Sequence, residues 1–589
     1  TKDVFCTLPA TKAVIEDANN AVTIGDMTFS GSTISDAGDL TIDVAGDINL
    51  DAGGADINFL DDGTKFGHLK QASNNMEFKS EVSDADIKFK GNDGGSVITA
   101  LTLDMSDAGA ATFNNDVNVA VDLDVDGNTT TDGITNAGNF STDGGTIKLD
   151  GNYPTGTCNV ALGDNALSNG SLSGDFNTAV GTNALLANTS ADGNTAIGRS
   201  SLCSNTTGNC NTGLGMNALL GNTEGFGNVA VGRSSMVANT TGDNNVAVGQ
   251  NSLVSNTTAD NNTAVGTCAL NANTTGSENT AVGHESLKAN TTGAKNTVVG
   301  KNAGSAITTG TFNDIFGRSA GFDLTTGDYN VAVGSGSLAN LTTTNDNTAV
   351  GHNALNTVVT GTQNTAVGTC ALHNTTVNCG TAVGYQSLKG NTTGDKNTAV
   401  GRNSANNNTT GSDNTVVGFC SLGTNTTGAC NTAFGNYSLY SNTTANDNSA
   451  FGYNTLGLNT TGTNNVAMGR NALLNNTTAA NNTAVGKDSL CANTTSENAA
   501  LGANALKAQT TGIYNTAVGS NAMIKNTTGT RNVAIGTTAM GCNTTGSCNT
   551  AVGGMDAGTL PVMWLNTTGN QNTAIGNAAL VKNTTASAN

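Results

Sequence analysis

The stretch Asn228-Val-Ala-Val-Gly232 returns about 17 residues later as Asn245-Val-Ala-Val-Gly249, and close variants of it recur from about Gly163 to Gly576. The full unit reads Asn-Thr-Ala-Val-Gly, a polar pair, Ala/Ser-Leu, a short spacer and Asn-Thr-Thr-Gly. Its glycines fall at Gly181, Gly198, Gly215, Gly232 and onward, with one-residue shortenings before Gly384 and Gly502 and a clear lengthening only between Gly553 and Gly576. A fixed period of this size is the signature of a solenoid, in which each unit covers the apolar face of the next. Valines two apart with alanine between them follow strand alternation rather than a helical stripe. The unit therefore predicts a narrow β-solenoid coil of two short strands and two turns, with the Val/Thr positions facing inward and Ala230, Ala247, Ala264 and Ala281 forming a row on the opposite face. Leu185, Leu219, Leu253, Leu270 and Leu287 are expected to supply the other wall of the core. Gly and Asn-Thr-Thr-Gly carry the turn chemistry, since Gly reaches positive φ freely and Asn tolerates it.

Stacking about 25 such coils at a strand spacing of roughly 4.8 Å gives a rod on the order of 120 Å long. It also sets Asn239, Asn256, Asn273 and Asn290 in one ladder and Asn228, Asn245, Asn262 and Asn279 in another, where amides satisfy one another along the stack. Composition agrees with a thin core. Apolar residues are 36% of the 589 and aromatics 4%, too little bulk for an ordinary globular interior of this length. A net charge of −21 argues against nucleic acid and against an anionic membrane surface. No apolar run approaches the roughly 20 residues of a spanning helix. No basic and apolar leader opens the chain, so a signal peptide is expected to be absent or already removed. The chain opens at Thr1 and stops at Asn589, where another Asn-Thr-Ala-Val-Gly is due, which leads to the expectation that both ends are trimmed.

Three regions follow. Residues 1–20 lack any repeat and are expected to be an attachment segment. Residues 21–151 form a β-rich stem, because Asp39 to Phe59, Leu101 to Met105 and Val117 to Val125 alternate apolar and polar residues in short runs broken by Gly. Residues 152–589 are the repeat shaft, with an insertion over 554–571. That insertion carries Met563 and Trp564, the only Trp, and has two readings: a hydrophobic plug against the coil or a subunit seam, or an exposed contact for a partner.

Of the twelve cysteines, Cys210, Cys379, Cys430 and Cys548 each precede a strand motif and each has an earlier cysteine in its own unit: Cys203, Cys370, Cys420 and Cys542. Each pair brackets a turn, which predicts four disulfides within coils and an oxidising environment. The competing reading is free thiols acting as small hydrophobes. Cys6, Cys158, Cys268 and Cys491 are unassigned. No paired spacing of a zinc site occurs, and Asp47 to Asp62 lacks the spacing of a calcium loop, so no metal and no cofactor are expected. The four histidines, His68, His284, His352 and His373, lie in unrelated units, and no nucleophile has a base near it; no catalytic residues are expected. Asn-Thr-Thr is also a glycosylation sequon, for instance at Asn205, Asn239, Asn425 and Asn583, but ladder and turn chemistry already account for it.

The Asn-x-Ala-Val-Gly, Ala-Leu, Gly cadence over residues 159–589 resembles the head repeats of trimeric autotransporter adhesins of the YadA-like kind. The Gly-Asp-Leu-Thr-Ile-Asp and Asp-Ile-Asn-Leu-Asp-Ala-Gly segments of the stem resemble tail fibres of marine bacteriophages, cyanophages in particular. The adhesin repeats are shorter, and neither their coiled-coil stalk nor their membrane-anchor barrel is visible here; nor is the C-terminal self-cleaving chaperone of such phage fibres. The resemblance implies a parallel homotrimeric fibre of a virion tail. It would join other tail or baseplate proteins through its N-terminus and contact a glycan or protein receptor on the host surface. The alternative is a cell-surface adhesin or extracellular filament. A polysaccharide depolymerase ranks third, because the regular units offer no carboxylate pair at a fixed separation.

Overall fold

The computed structural model describes residues 13–17, 20–24, 28–30, 33–35, 47, 56–106, 110–113, 156–555 and 558–589, all β-strand, turn and connecting segments. The chain divides into two compact units, residues 1–141 and 142–589. Of the expected stem strands, Val117 to Val125 and most of Asp39 to Gly54 lie outside the described residues, as does Cys6.

The first unit is built of antiparallel hairpins. Strands β1 (Ala13–Asp17) and β2 (Asn20–Ile24) pair, so the expected boundary at residue 20 falls inside a hairpin; β3 (Thr28–Ser30) pairs with β4 (Thr33–Ser35). Two three-stranded sheets follow. Strands β5 (Asp56–Asp61), β6 (Thr64–Ala72) and β7 (Asn75–Ser80) make one, and β8 (Ile87–Asp93), β9 (Ser96–Asp104) and β10 (Ala110–Phe113) the other. They are variations on one plan. Asp56-Ile-Asn-Phe59 and Asp86-Ile-Lys-Phe89 occupy matching places, and in each sheet the register slips just after that Phe, leaving Phe66 and Ala100 as the extra residues of β-bulges. The bulge brings Phe66 to the side of Phe59, with ring centroids 6.2 Å apart, and Phe78 lies the same distance away. All three rings remain exposed, as do Phe89 and Phe113.

The second unit is a β-solenoid. Its 25 three-residue strands, β11 (Val160–Leu162) through β35 (Thr573–Ile575), form one parallel sheet in strict chain order, every neighbour in register. At roughly 4.8 Å per rung the sheet is about 120 Å long. The inward and outward faces are the reverse of the expectation. The central residue of each strand points inward: Ala230, Ala247, Ala264 and Ala281 are 0% exposed, whereas the flanking Val and Thr face outward and are partly exposed. The reason is width. The strand spans only three residues, and the wall opposite is leucine, so a coil of this circumference has room for a methyl on one side and an isobutyl on the other.

That leucine wall is present as expected, with Leu185, Leu219, Leu253, Leu270 and Leu287 fully buried. It is not a second strand. Leu185 sits at φ 50° and Asn183 two residues before it at φ 60°, and this pair of left-handed residues recurs along the solenoid. Left-handed backbone cannot continue as a strand, yet the rung-to-rung bonds persist through it, Leu185 N donating to Ser201 O and Ala187 N to Cys203 O. Each coil thus has one strand and a bonded but irregular return. The corner glycines have no substitute: at Gly249, φ is +135° and a Cβ would stand 2.6 Å from the carbonyl group of Gly266 on the next rung.

Both asparagine ladders are there. Asn245 donates through its backbone N (2.9 Å) and Nδ2 (3.1 Å) to Asn228 Oδ1, and through Nδ2 to Ala259 O (2.8 Å). Asn256 Nδ2 donates to Asn239 Oδ1 at 2.8 Å in the other ladder. This second ladder breaks after Asn290, where Ile307, Leu324, Leu341 and Val358 take its column, and Asn290 Oδ1 is left without a partner. The same rungs exchange volume across the core. Ile315 replaces the usual strand alanine and Gly321 replaces the facing leucine, a Cβ there meeting Ile315 Cδ1 at 2.8 Å. Val298 and Gly304 are matched in the same way.

Candidate functional site

All eleven described cysteines are free thiols, so none of the four expected bridges is formed. The geometry supplies the reason. Cys210, Cys379, Cys430 and Cys548 do share one column, just ahead of the strand, and are exposed. Their intended partners do not share one: Cys370 and Cys420 lie two residues after a corner glycine, Cys203 five after and Cys542 six after. No single bridge geometry could serve all four pairs. Half-burial pushes the thiols of Cys203 and Cys491 up from the ordinary cysteine range.

The insertion is smaller than it looked. Val562 and Met563 re-enter the coil at the Ala-Leu position and are 0% exposed, with Met540 N donating to Val562 O and Met563 N to Ala579 O. Trp564 is half-buried, its ring filling the space a side chain at Gly541 would need. Met563 is therefore in the coil core, while Trp564 keeps part of its surface exposed. The residues that leave the coil precede it, among them the exposed Met555 and Leu560.

In the first unit Glu81 gathers three basic groups: Lys79 Nζ at 3.2 Å, Lys65 Nζ at 3.5 Å and His68 Nδ1 at 2.7 Å. The imidazole is off the line a hydrogen bond needs, and both of its buried nitrogens lack a hydrogen-bond partner. The hydrogen bond from Lys79, with the nearby charges of Lys79, Lys65 and His68, holds the Glu81 carboxyl below its ordinary range. Beside this cluster an open cleft of about 190 Å³ is lined by Phe59, Phe66, Phe78, Lys79, Asp86 and Ile87. Three of its nine lining residues are phenylalanines, and Asp86 pairs there with Lys88 Nζ at 2.9 Å. Among the described residues no three His, Cys, Asp or Glu side chains converge on a point.

The arrangement that sequence reasoning missed runs along one edge of the solenoid. The residue after each corner glycine, read above only as half of a polar pair, forms a single exposed column. Its backbone carbonyls accept from the following rung, as in Asn217 N to Arg199 O and Cys420 N to Arg402 O. Arg199, Arg233, Lys301, Arg318, Arg402, Arg470 and Lys487 all stand there, with His284 and His352 between them, and none forms an ion pair among the described residues. Beyond Asp164 on the first rung, the column holds no acidic residue. Tyr385, Phe419 and Tyr453 occupy the same column, and the Arg402 guanidinium lies 5.7 Å from the Tyr385 ring centroid and 5.8 Å from that of Phe419.

Glu285 and Asp488 stand in the adjoining column, where they feel the charges of His284, Lys301 and Lys487, but many of the solenoid's acids are elsewhere. Asp175, Asp192, Asp243, Asp260 and Asp328 sit one residue ahead of the pre-strand column. Their carboxylates there accept from backbone N–H groups of the preceding rung, for example Asp243 N to Asp260 Oδ1 at 2.8 Å. Tabulating the residue that follows each glycine would have revealed the cationic column from sequence alone. Compared with protein-family models, curated proteins and solved structures, the chain matches none.

Proposed function

We propose that the chain is a structural fibre subunit of a virion tail, a rigid shaft that mediates attachment to a host cell and is not an enzyme. The observation that supports this most is the unbroken register of 25 rungs: a molecule invested in length, with its polar chemistry spent on ladders. Homotrimer formation is part of the proposal, on different grounds from those the sequence suggested. The alanine rows are inside the coil and cannot bring shafts together. The exposed rings of Phe59, Phe66, Phe78, Phe89 and Phe113 leave the hairpin sheets with apolar faces that neighbouring copies would cover. Attachment through the N-terminal region to tail or baseplate proteins and binding to a host glycan or protein receptor complete the reading. Several copies would convert weak contacts into avid attachment.

Light scattering on the purified chain should give three times its 58.6 kDa. Antibodies against residues 156–589, viewed by electron microscopy, should decorate fibres on phage particles. A monomer would remove the trimer, and decoration of bacterial surfaces in the absence of particles would replace the virion with the cell-surface adhesin. Shortening of host polysaccharide by the pure protein would remove the non-enzymatic reading.

A further inference from the structure

We infer that the column after the corner glycines is a side-on binding track for a linear anionic polysaccharide, one bearing carboxylate or sulfate groups along its length. This rests on the attachment reading above and gives the receptor a chemical class and a place on the shaft. Three features of the edge lead to it. First, the charge is concentrated against the trend of the molecule: in a chain of net charge −21, one exposed column carries seven lysines and arginines, none of them in an ion pair among the described residues, although Glu285 and Asp488 in the adjoining column feel the charges of Lys301 and Lys487. Second, the column's sites are set by the rung spacing of roughly 4.8 Å, so cations on consecutive rungs, Lys301 with Arg318 and Arg470 with Lys487, lie well inside a Debye length of about 10 Å at 0.1 M salt and act on the same stretch of ligand. Third, Tyr385, Phe419 and Tyr453 interrupt the cations with exposed or half-exposed rings, and flat apolar faces beside charged groups suit the mixed apolar and anionic surface of an acidic sugar chain.

Nucleic acid fits poorly. Its phosphates are denser than seven cations over 25 rungs can neutralise. A polyuronate carries fewer charges per length and offers ring faces as well. No single rung binds strongly; affinity comes from the number of rungs engaged by one polymer.

The test uses the full-length protein in surface plasmon resonance against immobilised polygalacturonate, dextran sulfate, uncharged dextran and double-stranded DNA. Binding to one or both of the anionic glycans, with little to dextran or DNA, is expected, and it should fall steeply between 0.1 and 1 M salt (roughly a 10 to 3 Å Debye length). The pair Lys301→Gln with Arg318→Gln should weaken it about tenfold. Lys525→Gln with Lys582→Gln removes the same charge from another corner and should change it less than about twofold. Preference for polygalacturonate or for dextran sulfate tells carboxylate from sulfate. Equal binding to DNA, equal binding to dextran, no binding to either anionic glycan, or an equal loss in both double variants overturns the inference. Because all variants change exposed side chains, circular dichroism identical to that of the parent confirms that folding is not what is being read. Failure here leaves the virion proposal to its own test, since imaging of particles does not depend on this edge.

Discussion

Replacing Asn245 with alanine removes one link from the ladder that holds the strands in register. Asn245 Oδ1 accepts both donors of Asn262, the backbone N at 2.9 Å and Nδ2 at 3.1 Å, and Asn262 is 0% exposed. Neither donor has a further acceptor. Ala259 O, by contrast, keeps the bond from Asn256 Nδ2 at 3.0 Å, and Asn228 Oδ1 keeps the backbone N of residue 245, so the damage is confined to two orphaned donors. At about 1–3 kcal/mol for each of the two buried donors left unsatisfied, Asn245→Ala should cost about 2–6 kcal/mol locally. Contacts in a solenoid run only between neighbours, so a global melting curve dilutes the effect while amide hydrogen exchange reads it in place. The Asn262 amide should lose protection by roughly 30-fold or more, and the loss should fade within a few rungs. Asn245→Asp should do at least as badly, since it keeps an acceptor but turns an oxygen toward Ala259 O and buries a charge. Thr263→Ala, on the outward face of the same strand, is the control and should leave exchange nearly unchanged. Protection at Asn262 within threefold of the parent in Asn245→Ala would mean that the ladder is a consequence of the stacking and not a cause of it.

Three further outcomes follow from the same packing. Ile315→Ala empties space that no neighbour fills and should destabilise its rungs by about 2–4 kcal/mol in urea unfolding, whereas Ile315→Ala with Gly321→Leu should recover most of that by recreating the Ala332, Leu338 and Leu341 arrangement of the next rung; a double variant no better than the single would contradict the volume exchange. In the native protein, alkylation followed by mass spectrometry should label Cys210, Cys379, Cys430 and Cys548 promptly and Cys203 and Cys491 slowly, because burial raises those two thiols; four unreactive pairs that appear only after reduction would restore the disulfides. The Glu81 carboxyl should titrate by NMR below an ordinary glutamate and move up in Lys79→Gln. Because its folded-state value is the lowered one, whatever stability it adds is complete above the unfolded carboxylate range and is lost as pH falls through the folded value, so an unshifted Glu81 would remove the charge cluster from the hairpin unit's acid response.

How far the sequence could be read depends on which property each residue was asked to reveal. Periodicity needs only identity at a fixed spacing, so the rung count, the leucine wall and both ladders were visible in Asn228, Asn245 and Leu253 before any coordinate. Which way a strand faces needs an absolute reference, and Val-Ala-Val offers none: hydrophobicity favours valine inside, while the width of the coil favours alanine, with Val416 a buried exception one rung after Ala405 takes the leucine position. The structure follows width, and the exceptions show why, because Ile315 and Val298 enter the core only where Gly321 and Gly304 make room. The second strand failed for a related reason. Leucine normally avoids φ near 50°, so nothing in Ala-Leu announced a left-handed return; that conformation is held by bonds to the next rung, such as Leu185 N to Ser201 O, which exist only once the rungs are stacked. The cysteines were paired by nearness in the chain, yet in a coil nearness in the chain is distance around a perimeter, and Cys203 and Cys210 stand on different corners. Reading by column instead of by sequence neighbour corrects that error, and it is the same operation that exposes the cations. A residue's neighbours in a solenoid are those one period away, so Arg318 belongs with Lys301 and not with Ser319, and function on such a scaffold is written along the axis, where a linear polymer can meet it.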